Sequence, residues 1–364
     1  MSRARRLGLV LVAPALALLV AGVVTTVVLL LAGDDVGAFW DVMFTAPAAR
    51  NLSNIVNNAV VLYLSGMAAA IGFRMNLFNI GVEGQYAVAT FTAALFAAQA
   101  WLPGVVNTLA TLVVAMAAGA AWAGIAAVLK VTRGVSEVIS TIMLNAIAVS
   151  LVAYLLRTTG ERQQQTIETR PIPKDSWVGG VDVFSGSTTP VHGLAVLALL
   201  VGIATWFVLG WTRFGFDLRA TGQSESAAVA SGVNVKKMVL ASLLLSGAVA
   251  GLIGMPNLLG VSHNFGTTLQ VNIGFTGIAV ALLGRNHPLG VAFGALIFAW
   301  LNEQSNPLGI LAGISNDIIF ITQGVVVLSV VIAYAVVQRY ERRMEQRHVM
   351  AALERAGLAE EARA

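Results

Sequence analysis

The sequence predicts an all-α polytopic membrane protein, and three observations support this fold class. Hydrophobic residues make up 57% of the 364 residues and charged residues only 11%, whereas soluble domains carry about 25% charged residues. Apolar runs recur along the whole chain at about the 20-residue length that a helix needs to cross a bilayer. Basic residues collect in alternate loops, which is typical of loops that face the cytosol.

Ten apolar segments are predicted to span the membrane. The first follows a basic flank, but its apolar run is longer than the roughly 7–15 residues of a signal peptide, so we expect an uncleaved span. The eighth and ninth are short and could instead form a broken or re-entrant pair, which leaves eight full crossings as the alternative. The ten segments are residues 7–31, 54–73, 77–100, 105–129, 138–157, 191–211, 237–257, 272–285, 288–304 and 315–337.

The distribution of charge predicts the orientation of the chain in a cell membrane. With the N-terminus in the cytosol, 17 of the 22 basic residues lie on the inner side, so both termini are predicted to be cytosolic. This places a polar loop of residues 158–190 outside and a long loop of residues 212–236 inside. Residues 1–337 then form the transmembrane domain, and residues 338–364 form a charged, solvated tail.

Composition and motifs argue against several functional classes. The chain has no cysteine, and its four histidines are scattered without metal-ligand spacing, so no bound metal or other cofactor is expected. The basic excess is explained by the cytosolic loops, which argues against nucleic-acid binding. The sequence also lacks a G-x-x-x-x-G-K-[ST] phosphate loop, so we do not expect this chain to hydrolyse ATP or to act as an enzyme.

A short motif occurs twice, 193 positions apart, as Asn79-Ile80-Gly81-Val82-Glu83-Gly84 and Asn272-Ile273-Gly274-Phe275-Thr276-Gly277. In the ten-span count the two copies open helices that run in opposite directions. This arrangement predicts two inverted five-helix repeats, covering about residues 1–160 and 191–337, with interrupted helices near a substrate path. Close helix packing through small residues is the alternative explanation for the glycines.

Four stretches resemble the permease subunits of bacterial ABC importers, in the branch that ribose-type and branched-chain amino-acid-type permeases share. Their similarity runs from about residue 50 to 337, and FNIGVEGQ with EVISTIMLN is most similar to the nucleoside, or simple sugar, permeases. The stretches are GFRMNLFNIGVEGQYAVAT at 72–90, SEVISTIMLNAIA at 136–148, RATGQSESAAVASGVNVKK at 219–237 and GFTGIAVALLGRNHPLG at 274–290.

The resemblance implies a type II-like ABC importer permease that translocates a nucleoside or a related pentose or sugar. It implies separate ATPase subunits that use ATP and Mg, a second permease subunit that is identical or paralogous, and an extracellular substrate-binding lipoprotein. The loop 158–190 carries charges of both signs and is a hypothetical docking surface for that lipoprotein, although a self-packed or disordered loop is equally compatible.

A helix within residues 221–233 is expected to engage the ATPase. Ser224 is a suitable N-cap, and Gly232 is a suitable stop signal. Relatives often carry a proline before this segment where this chain has Gln223-Ser224, which weakens the assignment of the helix start by resemblance. The predicted coupling residues are Gly222, Ser224, Glu225, Ala227, Ala228 and Gly232.

Polar residues inside the spans are the candidates for the substrate pathway, since amides and a carboxylate can exchange hydrogen bonds with a hydroxyl-rich substrate. Glu83 could bind substrate or could tether a broken helix, and the sequence leaves both roles open. Glu303 and Gln304 are expected at an exposed external rim. The predicted pathway residues are Asn57, Asn79, Glu83, Gln85, Asn145, Asn272 and Thr276.

A proton-coupled secondary transporter with Glu83 and Glu303 as relays is the alternative function. The sequence does not distinguish a purine from a pyrimidine nucleoside, or a nucleoside from ribose.

Overall fold

A computed structural model describes residues 19–163, 166–266, 270–315 and 317–330, with residues 332, 333, 336 and 339 beyond them. Contacts divide the chain into two compact units, of which the larger is Thr45–Gln304. The smaller contains the described residues up to Phe44 and those from Ser305 onwards. The start of the predicted first span and nearly all of the predicted tail 338–364 lie outside the described residues.

Helices account for most of the described chain. They are α1 (Leu19–Ala32), α2 (Val36–Phe44), α3 (Ala49–Phe73), α4 (Val82–Ala98), α5 (Gly104–Arg133), α6 (Glu137–Thr159), α7 (Ala195–Trp211), α8 (Arg213–Gln223), α9 (Glu225–Ala230), α10 (Val235–Gly251), α11 (Met255–Asn257), α12 (Ile273–Leu283), α13 (Pro288–Ser305), α14 (Leu308–Leu311) and α15 (Asp317–Val330). A 3-10 turn covers Lys174–Ser176, a π-helical turn covers Leu258–Ser262, and strands β1 (Glu161–Gln163) and β2 (Thr166–Glu168) pair antiparallel.

Each of the ten predicted spans overlaps at least one of these helices, but the helices differ in length. Within the described residues, α3, α5, α6 and the continuous helical stretch Val235–Ser262 are long and apolar enough to cross a membrane. Helices α7 and α8 pass the same test only as a pair, and they are bent by 72° at their junction. The choice between ten and eight full crossings therefore stays a prediction.

In the smaller unit, α2 begins at a cap that the sequence analysis did not identify. The Asp35 carboxylate accepts a hydrogen bond from the backbone N–H of Ala38 at 3.0 Å, as an N-cap side chain does. The Trp40 indole N–H donates to the Thr26 hydroxyl of α1 at 3.1 Å. A short helix thus replaces the connection that followed the first predicted span.

The larger unit is built around α3, which is buried along most of its length, whereas α5 and α6 expose most of their apolar surface. Small residues bring α5 and α10 together: a β-carbon on Gly251 would collide with the backbone carbonyl of Ala115. A β-carbon on Gly119 would lie 3.0 Å from the Gly251 backbone. Close backbone approach through glycine is typical of helix pairs in membranes.

The polar loop between α6 and α7 packs against the segment that follows α10. The backbone N–H groups of Thr169 and Ile172 donate to the carbonyls of Phe265 and His263 at 2.9 and 2.8 Å. The Trp177 ring stacks on the His263 ring with 3.6 Å between centroids. The described part of this loop therefore packs against the residues that follow α10, and its docking role stays a prediction.

The predicted inner loop 212–236 is largely helical, which corrects the expectation of a loop with one short helix. Thr212 caps α8 by accepting from the Gly215 N–H at 3.2 Å. The predicted N-cap of the second helix is confirmed, because the Ser224 hydroxyl accepts from the Ala227 N–H at 3.3 Å. Gly232 follows α9 with a left-handed φ of +80°, which confirms the predicted stop.

Replacement of Gly251 by alanine should destabilise the larger unit by about 1–3 kcal/mol, because the new methyl group forces α5 and α10 apart. The measurement is the apparent Tm of the purified chain in detergent. Gly210→Ala is the matched control, since a β-carbon there meets nothing within 4 Å and alanine favours a helix by about 1 kcal/mol over glycine. Equal Tm values for the two variants would contradict this account of the packing.

Candidate functional site

The two copies of the repeated motif meet in the larger unit. Glu83, in the first turn of α4, accepts hydrogen bonds from the backbone N–H groups of Asn272 at 2.7 Å and Gly274 at 2.6 Å. Asn272 is the N-cap of α12 but supplies no side-chain cap of its own. The Glu83 carboxylate serves as the cap of α12 instead, and its negative charge also complements the positive end of that helix.

Glycine permits this contact between α4 and α12. A β-carbon on Gly274 would collide with the backbone of Glu83, and one on Gly277 would collide with Ser65 of α3. Asn272 has a left-handed φ of 65°, a conformation that asparagine tolerates better than most residues. The glycines of the second motif thus serve close approach, as the packing alternative expected.

Two buried amide side chains fix the segment that leads into α4. Asn79 and Gln85 exchange a pair of side-chain hydrogen bonds of 3.0 and 2.9 Å. Asn79 also accepts from the Gly81 N–H at 3.1 Å and donates to the Ser246 hydroxyl at 2.8 Å. Both amide side chains are buried. Together they satisfy polar groups at an interrupted helix start, which a membrane interior requires.

Asn145 of α6 supports the same helix start from the other side. Its amide N–H donates to the Ile80 carbonyl at 2.8 Å, and its amide oxygen accepts from the Gly84 N–H at 2.9 Å. Asn145 is also buried. The first turn of α4 is therefore fixed by side chains from two elements, since its own N–H groups have no partner within the helix.

A second repeat, which the sequence analysis missed, takes part in this site. Leu64-Ser65-Gly66 in α3 recurs as Leu245-Ser246-Gly247 in α10. The Ser65 hydroxyl donates to the Ile273 carbonyl at 2.9 Å, and the Ser246 hydroxyl donates to the Ala68 carbonyl at 2.6 Å while accepting from Asn79. Ser65, from the first triplet, therefore contacts the Asn-Ile-Gly motif at 272–274. Ser246, from the second triplet, contacts the Asn-Ile-Gly motif at 79–81.

Helix α12 is too short to cross a bilayer. Its 11 residues extend about 16 Å at 1.5 Å per residue, against a hydrocarbon core of about 30 Å.

The polar residues around the two helix starts differ in exposure. Asn272 is exposed and Glu83 and Thr276 are partly exposed, whereas Asn79, Gln85 and Asn145 are buried. The Thr276 hydroxyl donates to the Asn272 carbonyl at 2.9 Å. The exposed part of the cluster is thus the surface around the start of α12.

Asn57 lies apart from the other six predicted pathway residues. It is on α3, about 12 Å along the helix from Ser65. Its amide N–H donates to the Pro190 carbonyl at 3.0 Å, and its amide oxygen accepts from the His192 N–H at 2.8 Å. These bonds attach the segment before α7 to α3.

The expectation of an exposed rim at Glu303 and Gln304 is wrong, because both side chains are buried. The Asn54 amide donates to the Glu303 carboxylate at 2.9 Å, and the Gln304 amide donates to the Thr45 carbonyl at 2.7 Å. Buried polar groups need such partners. Sequence position at the end of a span did not indicate that α3 covers this end of α13.

The predicted coupling residues occupy different environments. Ser224, Glu225, Ala227 and Gly232 are exposed, whereas Ala228 is buried and Gly222 is half-buried. Val229, which the sequence analysis did not select, is 61% exposed. The contact of α9 with an ATPase therefore stays a prediction.

No group of three or more His, Asp or Glu side chains that could hold a metal ion occurs among the described residues. The polar groups of the site are amides, hydroxyls and one carboxylate, all arranged around backbone groups. This arrangement can exchange hydrogen bonds with a neutral polar molecule.

The chain is similar to known proteins over most of its length. The family model described as branched-chain amino acid transport system / permease component matches residues 51–337. The chain is 32% identical over 305 residues to the guanosine ABC transporter permease protein NupP of Bacillus subtilis, covering 82% of this chain and 84% of that protein.

Further relatives differ in the substrate that their names give. The glucose ABC transporter permease protein TsgB13 of Haloferax volcanii is 31% identical, with 86% and 85% of the two chains covered. The nucleoside ABC transporter permease protein NupB of Lactococcus lactis is 28% identical, with 74% of each chain covered. A solved structure of a metal-chelate type ABC transporter in an inward-facing conformation has a TM-score of 0.43 at 17% identity, covering 84% of this chain and 94% of its own.

Replacement of Glu83 by glutamine should destabilise the chain by about 1.5–3 kcal/mol, the range for a hydrogen bond to a charged group. A glutamine amide has only one acceptor oxygen for the backbone N–H groups of Asn272 and Gly274, and its NH2 group would face one of these two donors. The measurement is apparent Tm in detergent. Glu161→Gln is the control, because that carboxylate pairs with Arg170 at an exposed position where an ion pair contributes little. An unchanged Tm for Glu83→Gln would contradict the capping role.

Proposed function

Because this chain belongs to the family of permease components of branched-chain amino acid transport systems, we propose that it carries a nucleoside across the membrane as a subunit of an ATP-driven importer. The observation that supports this substrate class best is the 32% identity to a guanosine permease over 82% of the chain. A second relative is named for nucleosides. The permease subunit hydrolyses no ATP itself, and ATP and Mg are used by separate ATPase subunits.

The pathway residues divide into two roles in this proposal. Glu83, Asn272 and Thr276 have exposed surface and contact the passing substrate, while the buried amides hold the helix starts in place. Each carboxylate oxygen of Glu83 has two lone pairs, so a substrate hydroxyl can donate to it without breaking the bonds to α12. Such contacts are weak, which suits a path through which substrate must leave quickly.

The chain is proposed to contain two inverted repeats, which cover about residues 1–160 and 191–337. The paired triplets at 64–66 and 245–247 and the paired motifs at 79–84 and 272–277 support this arrangement. In each half, a helix that carries the triplet precedes an interrupted helix start, and the serine of each half bonds to the motif of the other. Repeats of this kind place their broken helices at the substrate path.

The complete transporter is proposed to contain two permease subunits, two ATPase domains and an extracellular binding lipoprotein, with both chain termini in the cytosol. Helix α9 is the handle for the ATPase, because its exposed residues after Glu225 are small or apolar and its ends are fixed by Ser224 and Gly232. The charged loop before α7 faces the binding lipoprotein.

A sugar is the second candidate substrate, since a glucose permease is 31% identical to this chain. The deciding experiment measures uptake of labelled guanosine by cells that express the whole assembly, with competition by unlabelled nucleosides, ribose and glucose. Competition by nucleosides alone supports the proposal, and competition by glucose alone overturns the substrate. Uptake that persists without ATP but collapses with a protonophore would overturn the ATP-driven mechanism in favour of a proton-coupled transporter.

Replacement of Val229 by aspartate should reduce co-purification of the ATPase by at least about tenfold, because a charge is placed in an apolar contact. The measurement is the ATPase-to-permease ratio after affinity purification, together with guanosine uptake. Val183→Asp is the matched control, since Val183 is 60% exposed against 61% for Val229 but lies in the proposed external loop. Ala228 is unsuitable for this test because its side chain is buried. Equal ratios for the two variants would remove α9 as the handle.

A further inference from the structure

Helix α12 is held at both ends by side chains from neighbouring elements. At its start, the backbone N–H groups of Asn272 and Gly274 donate to the Glu83 carboxylate. At its other end, the Nε and Nη2 groups of Arg74 both donate to the Asn286 carbonyl, at 3.0 and 2.9 Å. Asn286 ends a tight turn in which Arg285 and Asn286 have left-handed φ values of 54° and 57°. A cation near the end of a helix is also favoured by the helix dipole.

Arg74 is in contact with the segment that is proposed to bind the ATPase. Arg74 is the C-cap residue of α3. A β-carbon on Gly222, in the last turn of α8, would lie 2.8 Å from the Met75 backbone and 2.9 Å from the Arg74 carbonyl oxygen. Burial and the nearby charge of Arg219 lower the pKa of Arg74. The backbone of α8 therefore touches the residue that holds the end of α12.

The turn that Arg74 holds has space beside it. A cavity of about 150 Å³ is lined by Arg74, Asn286 and His287 together with Trp206 and Leu209 of α7. Protein interiors are otherwise close-packed, with few voids larger than a water molecule. A turn next to an open volume can move without displacing a packed neighbour.

We propose that Arg74 is a positioning residue that transmits displacement of α8 and α9 to α12. This proposal rests on the proposed function, because it assumes that an ATPase moves the α8–α9 segment. A shift of Gly222 pushes on the Arg74 backbone, and the two guanidinium bonds carry the shift to the Asn286 carbonyl. The opposite end of α12 is bonded to Glu83, so the same motion changes the exposed surface at the start of α12.

The test compares transport with ATP hydrolysis in the whole assembly reconstituted into liposomes. Arg74→Gln should lower the amount of guanosine transported per ATP hydrolysed by at least about fivefold, which is the lower end of typical coupling effects. ATPase co-purification and basal hydrolysis should stay unchanged. Arg74→Lys should restore part of the ratio, because an ammonium retains the charge but not the two-pronged geometry. Arg133→Gln is the matched control, since Arg133 is an exposed arginine at the end of α5.

A second variant tests the same link without altering the guanidinium. Gly222→Ala places a methyl group against the Arg74 backbone and should lower the transport-to-hydrolysis ratio in the same direction. This variant decides the question if Arg74→Gln fails to assemble. An unchanged ratio of guanosine transported to ATP hydrolysed overturns the proposal. The proposal is also overturned if uptake falls only in proportion to the loss of assembled transporter and of apparent Tm. A wild-type assembly that does not couple uptake to ATP would instead overturn the proposed function.

Discussion

The hydrogen bonds from the backbone of Asn272 and Gly274 to the Glu83 carboxylate are the interaction on which the rest of the larger unit depends. The first N–H groups of a helix have no partner within the helix, and each such group left unsatisfied away from water costs free energy. One carboxylate satisfies two of them and also matches the positive end of the helix. The expense of a charge in the membrane is thereby offset by its capping of α12.

The same constraint explains why buried and exposed polar residues lie side by side. Asn79 and Asn145 bond to backbone groups around the start of α4, and Gln85 bonds to the Asn79 side chain, so these amides fix that start. In the proposed function, the exposed surface around the start of α12 is the part that meets the substrate. A weakly binding surface suits the proposed delivery of substrate by a separate binding protein, because tight binding would slow release.

Glycine also permits close contact between this frame and its neighbouring helices. Gly274 lets α12 touch α4, and Gly222 lets α8 touch the residue that follows α3. In both places one backbone lies directly against another, with no flexible side chain between them. Arg74 is the exception, and its planar guanidinium reaches one carbonyl oxygen with two donors, which restricts its freedom as well.

The sequence by itself determined the apolar segments, the Ser224 cap, the Gly232 stop and the two motifs at 79–84 and 272–277. These are local signals, carried by hydropathy and by residues that act on their own neighbours in the chain. Only the tertiary structure decided that Glu83 caps a helix 189 residues away, that Glu303 is buried beneath Asn54, and that Arg74 holds the turn at Asn286. Those contacts depend on which helices are neighbours, and an amide or carboxylate in a span has the same sequence signature whether it faces a path or another backbone.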